Sequence, residues 1–439
     1  MSRRISRRHF VQVASAAATA AWCSSSSGFS PRSSLNQLNV AFIGVGNKGW
    51  DNVQQLAFEN VVALCDVDAN YLGEAAKQFP KAAQFVDYRE MLDKLHTQID
   101  AVVVSTPDHL HAPATAAALQ LGKHVYCEKP LSHTVVEARS LAQLAARHRC
   151  VTQMGTQIHA GDKYRRVVEL VRANVIGTTE RVYTWCNKSW SGGRFEPVAE
   201  GPPAFLNWDL WQGPAQPRPF SGGLHPAGWR SFWEYGTGTF GDMACHVMDL
   251  PFWALNLRSP KSVECEGPEL DAVGTPQWVK ATFEFEIEGR PLRLFWSDGG
   301  AHFDEIKALR DANDQPLSEW GLGICFVGSK GALVADYGRW QLLPAKDFAD
   351  FKPPEATIAS SVGHWREWAD ACKSGGATTC NFDYSGRLSE AVLLGTVAYR
   401  TREKLLWDAE NVRVTNTTAA EPFLRKAYRQ GWEVPEVLS

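Results

Sequence analysis

Leu38-Asn39-Val40-Ala41-Phe42-Ile43-Gly44-Val45-Gly46-Asn47-Lys48-Gly49 joins a short β-branched and apolar run to a G-x-G-x-x-G. Leu38 to Val45 reads as a buried strand. Trp50 to Glu59 reads as a helix, and Val61 to Leu64 as a second buried strand ending near Asp66. In this context the glycines have separate tasks. Gly44 makes the tight turn, Gly46 lets backbone approach a pyrophosphate, and Gly49 lets helix and strand pack closely. Asn47 completes the loop, and the helix start behind it presents free N–H groups to phosphate. Asp66 follows Gly46 by 20 residues, the place where an acid accepts hydrogen bonds from ribose hydroxyls. Its charge repels a 2′-phosphate, so the expected cofactor is NAD rather than NADP.

The alternation continues outward. Ala101 to Ser105 is an expected strand, Ala112 to Leu121 a helix, His124 to Cys127 a strand and Thr134 to Arg147 a helix. Strand and helix at this pitch predict an α/β fold with a doubly wound parallel sheet, the Rossmann arrangement. Glu128-Lys129-Pro130 follows a strand directly and so falls at the carboxyl edge of the sheet, where ligands bind. A lysine beside a nicotinamide can polarise a substrate hydroxyl. Further on, Asp242 and His246 are spaced i, i+4 and share a helix face. His246 is a natural base for an alcohol proton near neutral pH, and Asp242 can orient it or the substrate. On spacing alone the pair also fits a helix-surface ion pair, a core histidine, or two metal ligands. No third ligand is evident, so no metal is expected.

Together these pieces resemble the Gfo/Idh/MocA family of NAD(P)-dependent oxidoreductases, over nearly all of residues 38–439. The residues that carry the resemblance are Gly44 to Gly49, Asp66, Ser105-Thr106-Pro107-Asp108-His109-Leu110-His111, Glu128-Lys129-Pro130, Gln153-Met154-Gly155-Thr156-Gln157, and Asp242 with His246. The resemblance implies a catalytic trio of Lys129, Asp242 and His246. It places Thr106, Pro107, His109, Glu128 and Gln157 along the cofactor. It also implies an α+β second domain whose sheet builds a homo-oligomer, a dimer or tetramer.

From about Ile158 the pattern changes. Asp162 to Asn174 is helix-like, and Arg181 to Cys186 is a strand leading into a long Gly-, Pro- and Trp-rich stretch. Trp278 to Ile287 and Leu292 to Trp296 alternate as strands, Gly323 to Tyr337 reads as a hairpin, and Tyr384 to Arg402 as a helix. The expected second domain therefore carries a large, mostly antiparallel sheet. The expected division is a signal and linker over 1–35, a nucleotide domain over 36–157, and a substrate and oligomerisation domain over 158–439. Seven of the 17 Trp fall between residues 185 and 253. An indole matches the C–H face of a sugar, so Trp190, His225, Trp229, Arg230 and Tyr235 are expected pocket residues for a sugar or cyclitol, with His159 and Asp249 beside them. Most of the seven Trp are expected to pack the stretch rather than touch substrate.

The chain has 439 residues, 45 Lys+Arg and 48 Asp+Glu, a net charge of −3. That near-balance argues against nucleic-acid binding. No run of apolar residues is long enough to span a bilayer. Arg3, Arg4, Arg7 and Arg8, an Ala-rich run to Trp22 and a Ser-rich stretch follow an export-signal layout. Ser6-Arg7-Arg8-His9-Phe10-Val11 resembles a twin-arginine motif, read by the export machinery, which predicts a periplasmic or otherwise exported protein. Trp22 is too bulky for a lipobox ahead of Cys23. No two of the ten Cys stand at C-x-x-C spacing, so buried free thiols are expected, with Cys372–Cys380 an available pair. An exported enzyme meets little free NAD. The expected activity is hydride transfer between a tightly held nicotinamide and a sugar hydroxyl. The alternatives are glycoside cleavage through transient oxidation on the same fold and, less expected, a non-catalytic sugar- or nucleotide-binding protein.

Overall fold

The computed structural model describes residues 37–437, so the twin-arginine segment and Cys23 lie outside the described residues. Strands β1 (Asn39–Ile43), β2 (Asn60–Cys65), β3 (Ala83–Phe85), β4 (Ala101–Val104), β5 (His124–Cys127) and β6 (Thr152–Met154) form one sheet in the order β3-β2-β1-β4-β5-β6. All its pairings are parallel. Helices cover both faces, which is why β4 and β5 are buried at every position. The strand order reverses between β1 and β4, and that reversal opens a crevice at their carboxyl ends.

Local sequence sets the helix ends. Thr134 and Glu137 form a capping box, with Thr134 N–H donating to Glu137 Oε2 at 2.9 Å, ahead of helix Val135–Arg147. The helix expected from Ala112 starts earlier, at Asp108. Pro113 lies inside it and cannot donate to the carbonyl of His109; Lys426 Nζ donates to that carbonyl instead, at 3.0 Å.

The second sheet has nine strands: β7 (Thr179–Cys186), β8 (Ser262–Glu266), β9 (Lys280–Ile287), β10 (Arg290–Asp298), β11 (Leu322–Gly328), β12 (Gly331–Ala335), β13 (Trp340–Leu343), β14 (Leu405–Asp408) and β15 (Arg413–Val414). Their order is β13-β12-β11-β7-β10-β9-β8-β14-β15. Only β7 and β10 run parallel. In β9 the alternation holds, with Ala281, Phe283 and Phe285 buried between more exposed neighbours. The twenty-residue helix Phe382–Thr401 packs between this sheet and helix Val135–Arg147. There Arg139 and Glu390 form a buried ion pair at 2.7 Å. Arg139 also donates to the Ala409 carbonyl, and Trp407 to Glu390, so the buried charges are hydrogen-bonded as well as paired.

Two features go beyond sequence patterning. Helix His364–Ser374 lies in the chain between β13 and β14 of the second sheet but packs on the first, adding Trp368, Ala369 and Cys372 to its core. Cys372 and Cys380 are both buried free thiols, so the available disulfide is not formed. No helix among the described residues is long and apolar enough to cross a membrane.

Candidate active site

A cleft of about 880 Å³ runs from the glycine loop to helix Gly238–Val247, which lines it with Asp242, Met243 and His246. Gly44, Gly46, Asn47 and Asp66 line one end; Thr106, Pro107, Glu128, Lys129 and Gln157 line its middle; Trp190, Trp229, Arg230, Asp242 and His246 line the other. The loop geometry depends on its glycines. Gly44 has φ +82°, and a Cβ on Gly49 would lie 2.2 Å from the Gly44 carbonyl oxygen. Asp66 Oδ2 accepts from Val45 N–H at 2.8 Å and its Oδ1 from Asp68 N–H at 2.9 Å. The carboxylate thus braces the loop from below. Burial raises its pKa, and the two N–H groups oppose that shift. Glu128 Oε1 accepts from Asn52 at 3.0 Å and from Gln157 at 2.9 Å.

Lys129, Asp242 and His246 converge although they come from different domains. Lys129 reaches Asp242 from the end of β5, and the pair is about nine-tenths buried. Arg230 Nε donates to the same carboxylate oxygen at 3.1 Å, and Trp190 Nε1 to the other at 2.8 Å. Burial alone would raise the Asp242 pKa; Lys129 and Arg230 outweigh it and hold the carboxyl far below its usual range. His246 is pushed down to about 3 by burial and by the Lys129 charge, with Asp242 opposing. Its ring is therefore neutral over the working range, able to accept a proton. The Trp190 backbone is clamped, its N–H donating to Thr239 at 2.6 Å and its carbonyl accepting from Thr275 at 2.8 Å.

Several expected residues sit elsewhere. Gly49 packs beneath the loop and does not line the cleft. His109 turns into the core, its Nε2 3.0 Å from the Trp211 carbonyl. Tyr235 is fully buried among Trp211, Trp208 and Phe195. His159 and Asp249 are fully buried, 2.8 Å apart, with His159 stacked on Trp253 and Asp249 accepting from Tyr384. None of these four lines the cleft, so the expected direct contact with substrate, or for His109 with cofactor, is not made from these positions. His109, His159 and Tyr235 are drawn in by aromatic rings, and Asp249 by His159 and Tyr384. His225 does line the cleft, but its Nε2 is engaged with Asp68 Oδ2 at 2.8 Å. Of the seven clustered Trp, only Trp190, Trp211 and Trp229 face the cleft.

The stretch between β7 and helix Gly238–Val247 builds its own aromatic core from Leu206, Trp208, Trp211, Leu224, Trp229, Phe232 and Tyr235. It also straps onto the first domain. Asn207 N–H donates to the Val67 carbonyl at 2.9 Å, and Ala69 N–H to the Phe205 carbonyl at 2.8 Å. With the His225–Asp68 contact, these bonds close the strap beside Asp66.

Asp108 was not singled out from the sequence. It lines the cleft, is buried, and accepts from Thr237 Oγ1 at 2.9 Å. Its only sequence signal was its place within the motif after β4. Tyr337, on the turn after β12, also faces the cleft with its hydroxyl unpartnered.

Residues 38–156 match the profile described as an oxidoreductase family with an NAD-binding Rossmann fold, and residues 170–292 the C-terminal alpha/beta domain of the same family. The chain belongs to the Gfo/Idh/MocA family. Among curated relatives, it is 30% identical over 203 residues to glycosyl hydrolase family 109 protein 1 of Shewanella sp. strain ANA-3, covering 39% of this chain and 44% of that protein. It is 29% identical, over the same shares, to an alpha-N-acetylgalactosaminidase of Shewanella oneidensis. The match thus spans less than half the length of these relatives. Among solved structures, the WlbA dehydrogenase of Bordetella pertussis, in complex with NADH and UDP-GlcNAcA, superposes with a TM-score of 0.58 at 15% identity, covering 85% of this chain and 99% of that one. Scyllo-inositol dehydrogenase of Lactobacillus casei, with NAD(H) and scyllo-inositol, gives 0.53 at 18%, covering 84% and 98%. At these identities the likeness is one of fold.

Proposed function

We propose that the protein is an exported, NAD-dependent oxidoreductase acting on a sugar or cyclitol hydroxyl with a captive nicotinamide. The observation that carries this is the convergence of Lys129, Asp242 and His246 in one cleft with the Gly44–Gly49 loop. The cofactor, when bound, accepts hydride from a carbinol carbon. Neutral His246 takes the hydroxyl proton, and Lys129, anchored on Asp242, polarises the same oxygen. Arg230 and Trp190 fix Asp242 from the other side. Asp66 beside the loop favours NAD over NADP. The strap over Val67–Ala69 supports slow cofactor exchange, which an exported enzyme needs. Export rests on Ser6 to Val11, and a homo-oligomer on the open nine-stranded sheet.

A second reading is glycoside cleavage on the same fold, in which the sugar is oxidised, loses its leaving group and is reduced again. The likeness to a glycosyl hydrolase family 109 protein and an alpha-N-acetylgalactosaminidase of Shewanella favours it. The test is to denature the purified protein and identify the released nucleotide, then to offer the intact protein a panel of sugars and 4-nitrophenyl glycosides. Close to one NAD(H) per chain, reduced by a sugar, supports the first reading. Nitrophenol release with no net NADH supports the second. No nucleotide bound even at high NAD overturns both.

A further inference from the structure

We propose that Asp108 is a second proton-transferring residue of this cleft, acting on a C–H bond next to the carbon that gives up hydride. The assignment rests on the hydride-transfer reading above and supplies what the cleavage reading lacks.

Asp108 opens helix Asp108–Gln120, just beyond the end of β4, on the cleft wall. Only 2% of it is exposed. Its Oδ2 accepts from Thr237, the residue that leads into the helix bearing Asp242 and His246. The carboxylate therefore faces the same space as the trio, from the cofactor domain. Lys129 and Arg230 are near enough for their charges to act on it, yet both make their ion pairs with Asp242. Asp108 is thus left uncommitted to either cation.

Its environment sets its chemistry. Burial lifts the carboxyl to about 6; Arg230 and Lys129 pull it down, Asp242 pushes it up, and the Thr237 hydroxyl favours the ionised form. Both protonation states are then populated near neutrality, which suits a group that takes up and returns a proton. The other acids and imidazoles around the trio are placed otherwise. Asp242 is held ionised by two cations, and His246 is already assigned to the hydroxyl proton. Glu128 accepts from Asn52 and Gln157 on Oε1, and its Oε2 is buried against Gly155. His159 and Asp249 are walled off, and His225 is engaged with Asp68.

Once the carbinol carbon has become a ketone by losing hydride to the nicotinamide, ionised Asp108 takes the proton of the adjacent C–H. The C–H electrons form an enolate whose oxygen faces Lys129. As the carbonyl re-forms, those electrons make a carbon–carbon double bond to the next carbon, and the C–O bond to an oxygen leaving group there breaks. The departing oxygen takes the proton from Asp108.

Asp108→Asn keeps an acceptor for Thr237 and removes the basic oxygen. Holoprotein is incubated in D2O with hexoses and 4-nitrophenyl hexosides and N-acetylhexosaminides. Proton NMR follows ring C–H exchange, and near-ultraviolet absorbance follows the bound nicotinamide. The variant is expected to lose ring exchange by at least ~100-fold, while nicotinamide reduction falls by less than ~10-fold. Independently of any substrate, infrared difference spectra of the nucleotide-free protein should show, beside the band of buried Asp298, which protonates at about 7, a second carboxylic-acid band that grows as pH falls through about 6, and only this second band should be missing in the variant. Exchange that survives in the variant, exchange that falls only in step with nicotinamide reduction, or identical infrared spectra overturn the proposal. Nicotinamide reduction without exchange in the parent protein overturns it and leaves the hydride reading standing. Neither reduction nor exchange in the parent overturns that reading, and Asp108 with it.

Discussion

Asp242→Asn changes one charge and almost no volume. In the parent protein the carboxylate serves two cations and an indole N–H at once. An amide keeps one acceptor oxygen, so it cannot serve all three. Lys129 and Arg230 are then left close together without a counter-charge. Removing one partner of a buried ion pair costs roughly 3–5 kcal/mol. With Lys129 11% and Arg230 27% exposed, water relieves part of that, and about 3 kcal/mol is expected. The sign with pH follows from the depressed carboxyl. A group whose pKa is lower folded than unfolded stabilises fully above its unfolded value, about 3.9, and loses that contribution as pH falls below it. The gap between parent and variant should therefore be constant from pH 5 to 8 and shrink by roughly 1 kcal/mol at pH 3. Urea unfolding at several pH values measures it, and turnover at neutral pH should fall by about 10²–10⁴ as Lys129 loses its anchor. A variant within about 0.5 kcal/mol of the parent at pH 7, or a gap that widens in acid, would refute this account of the site.

The remaining expectations concern the same cleft. Gly49→Ala puts a methyl 2.2 Å from the Gly44 carbonyl, and the protein should emerge with little or no nucleotide by mass spectrometry. Lys129→Ala and His246→Ala should each lower turnover by about 10²–10⁴ while nucleotide content stays near that of the parent; unchanged turnover in both would remove the assignment. His225→Ala frees one end of the strap. A hydrogen bond to a charged group contributes about 1.5–3 kcal/mol, so release of bound NAD, followed by exchange with labelled NAD, should quicken roughly tenfold to a hundredfold. Since His246 is already neutral above about 3 and Asp108 changes charge at about 6, ring C–H exchange by the parent protein should slow as pH drops through 6, while nicotinamide reduction stays level across that range.

The first sheet was legible because its strands are short apolar runs between glycines and helices, so one buried pattern excluded most alternatives. The second sheet was legible in β9 and in the β11–β12 turn, where alternation and Gly328-Ser329-Lys330-Gly331 mark strands and hairpin. What could not be read was anything that depends on which neighbour a side chain meets. His109, His159, Tyr235 and Asp249 have the chemistry of site residues, yet each is held in the core by an aromatic neighbour or, for Asp249, by His159 and Tyr384. Asp108 is the converse case. A lone acid at a helix start is ordinary in sequence; burial in the folded cleft is what raises its pKa, against the pull of Arg230, Lys129 and Thr237, and local pattern shows neither the burial nor those neighbours. The return of His364–Ser374 to the first sheet left no mark in local periodicity, because an amphipathic helix does not encode which surface receives it.

That returning helix bears on how the nucleotide-binding unit can be handled. Cutting the chain after β6 would strip the sheet of Trp368 and Cys372 and leave Tyr126 facing solvent where the Trp368 ring now sits, 5.7 Å from it between centroids. The same cut would orphan Arg139, whose partner Glu390 lies on the far side. The first 120 or so described residues are therefore not an exchangeable cassette. Any chimera that borrows this cofactor site must carry the stretch from His364 to Thr401 with it, or supply another apolar cap and another acid.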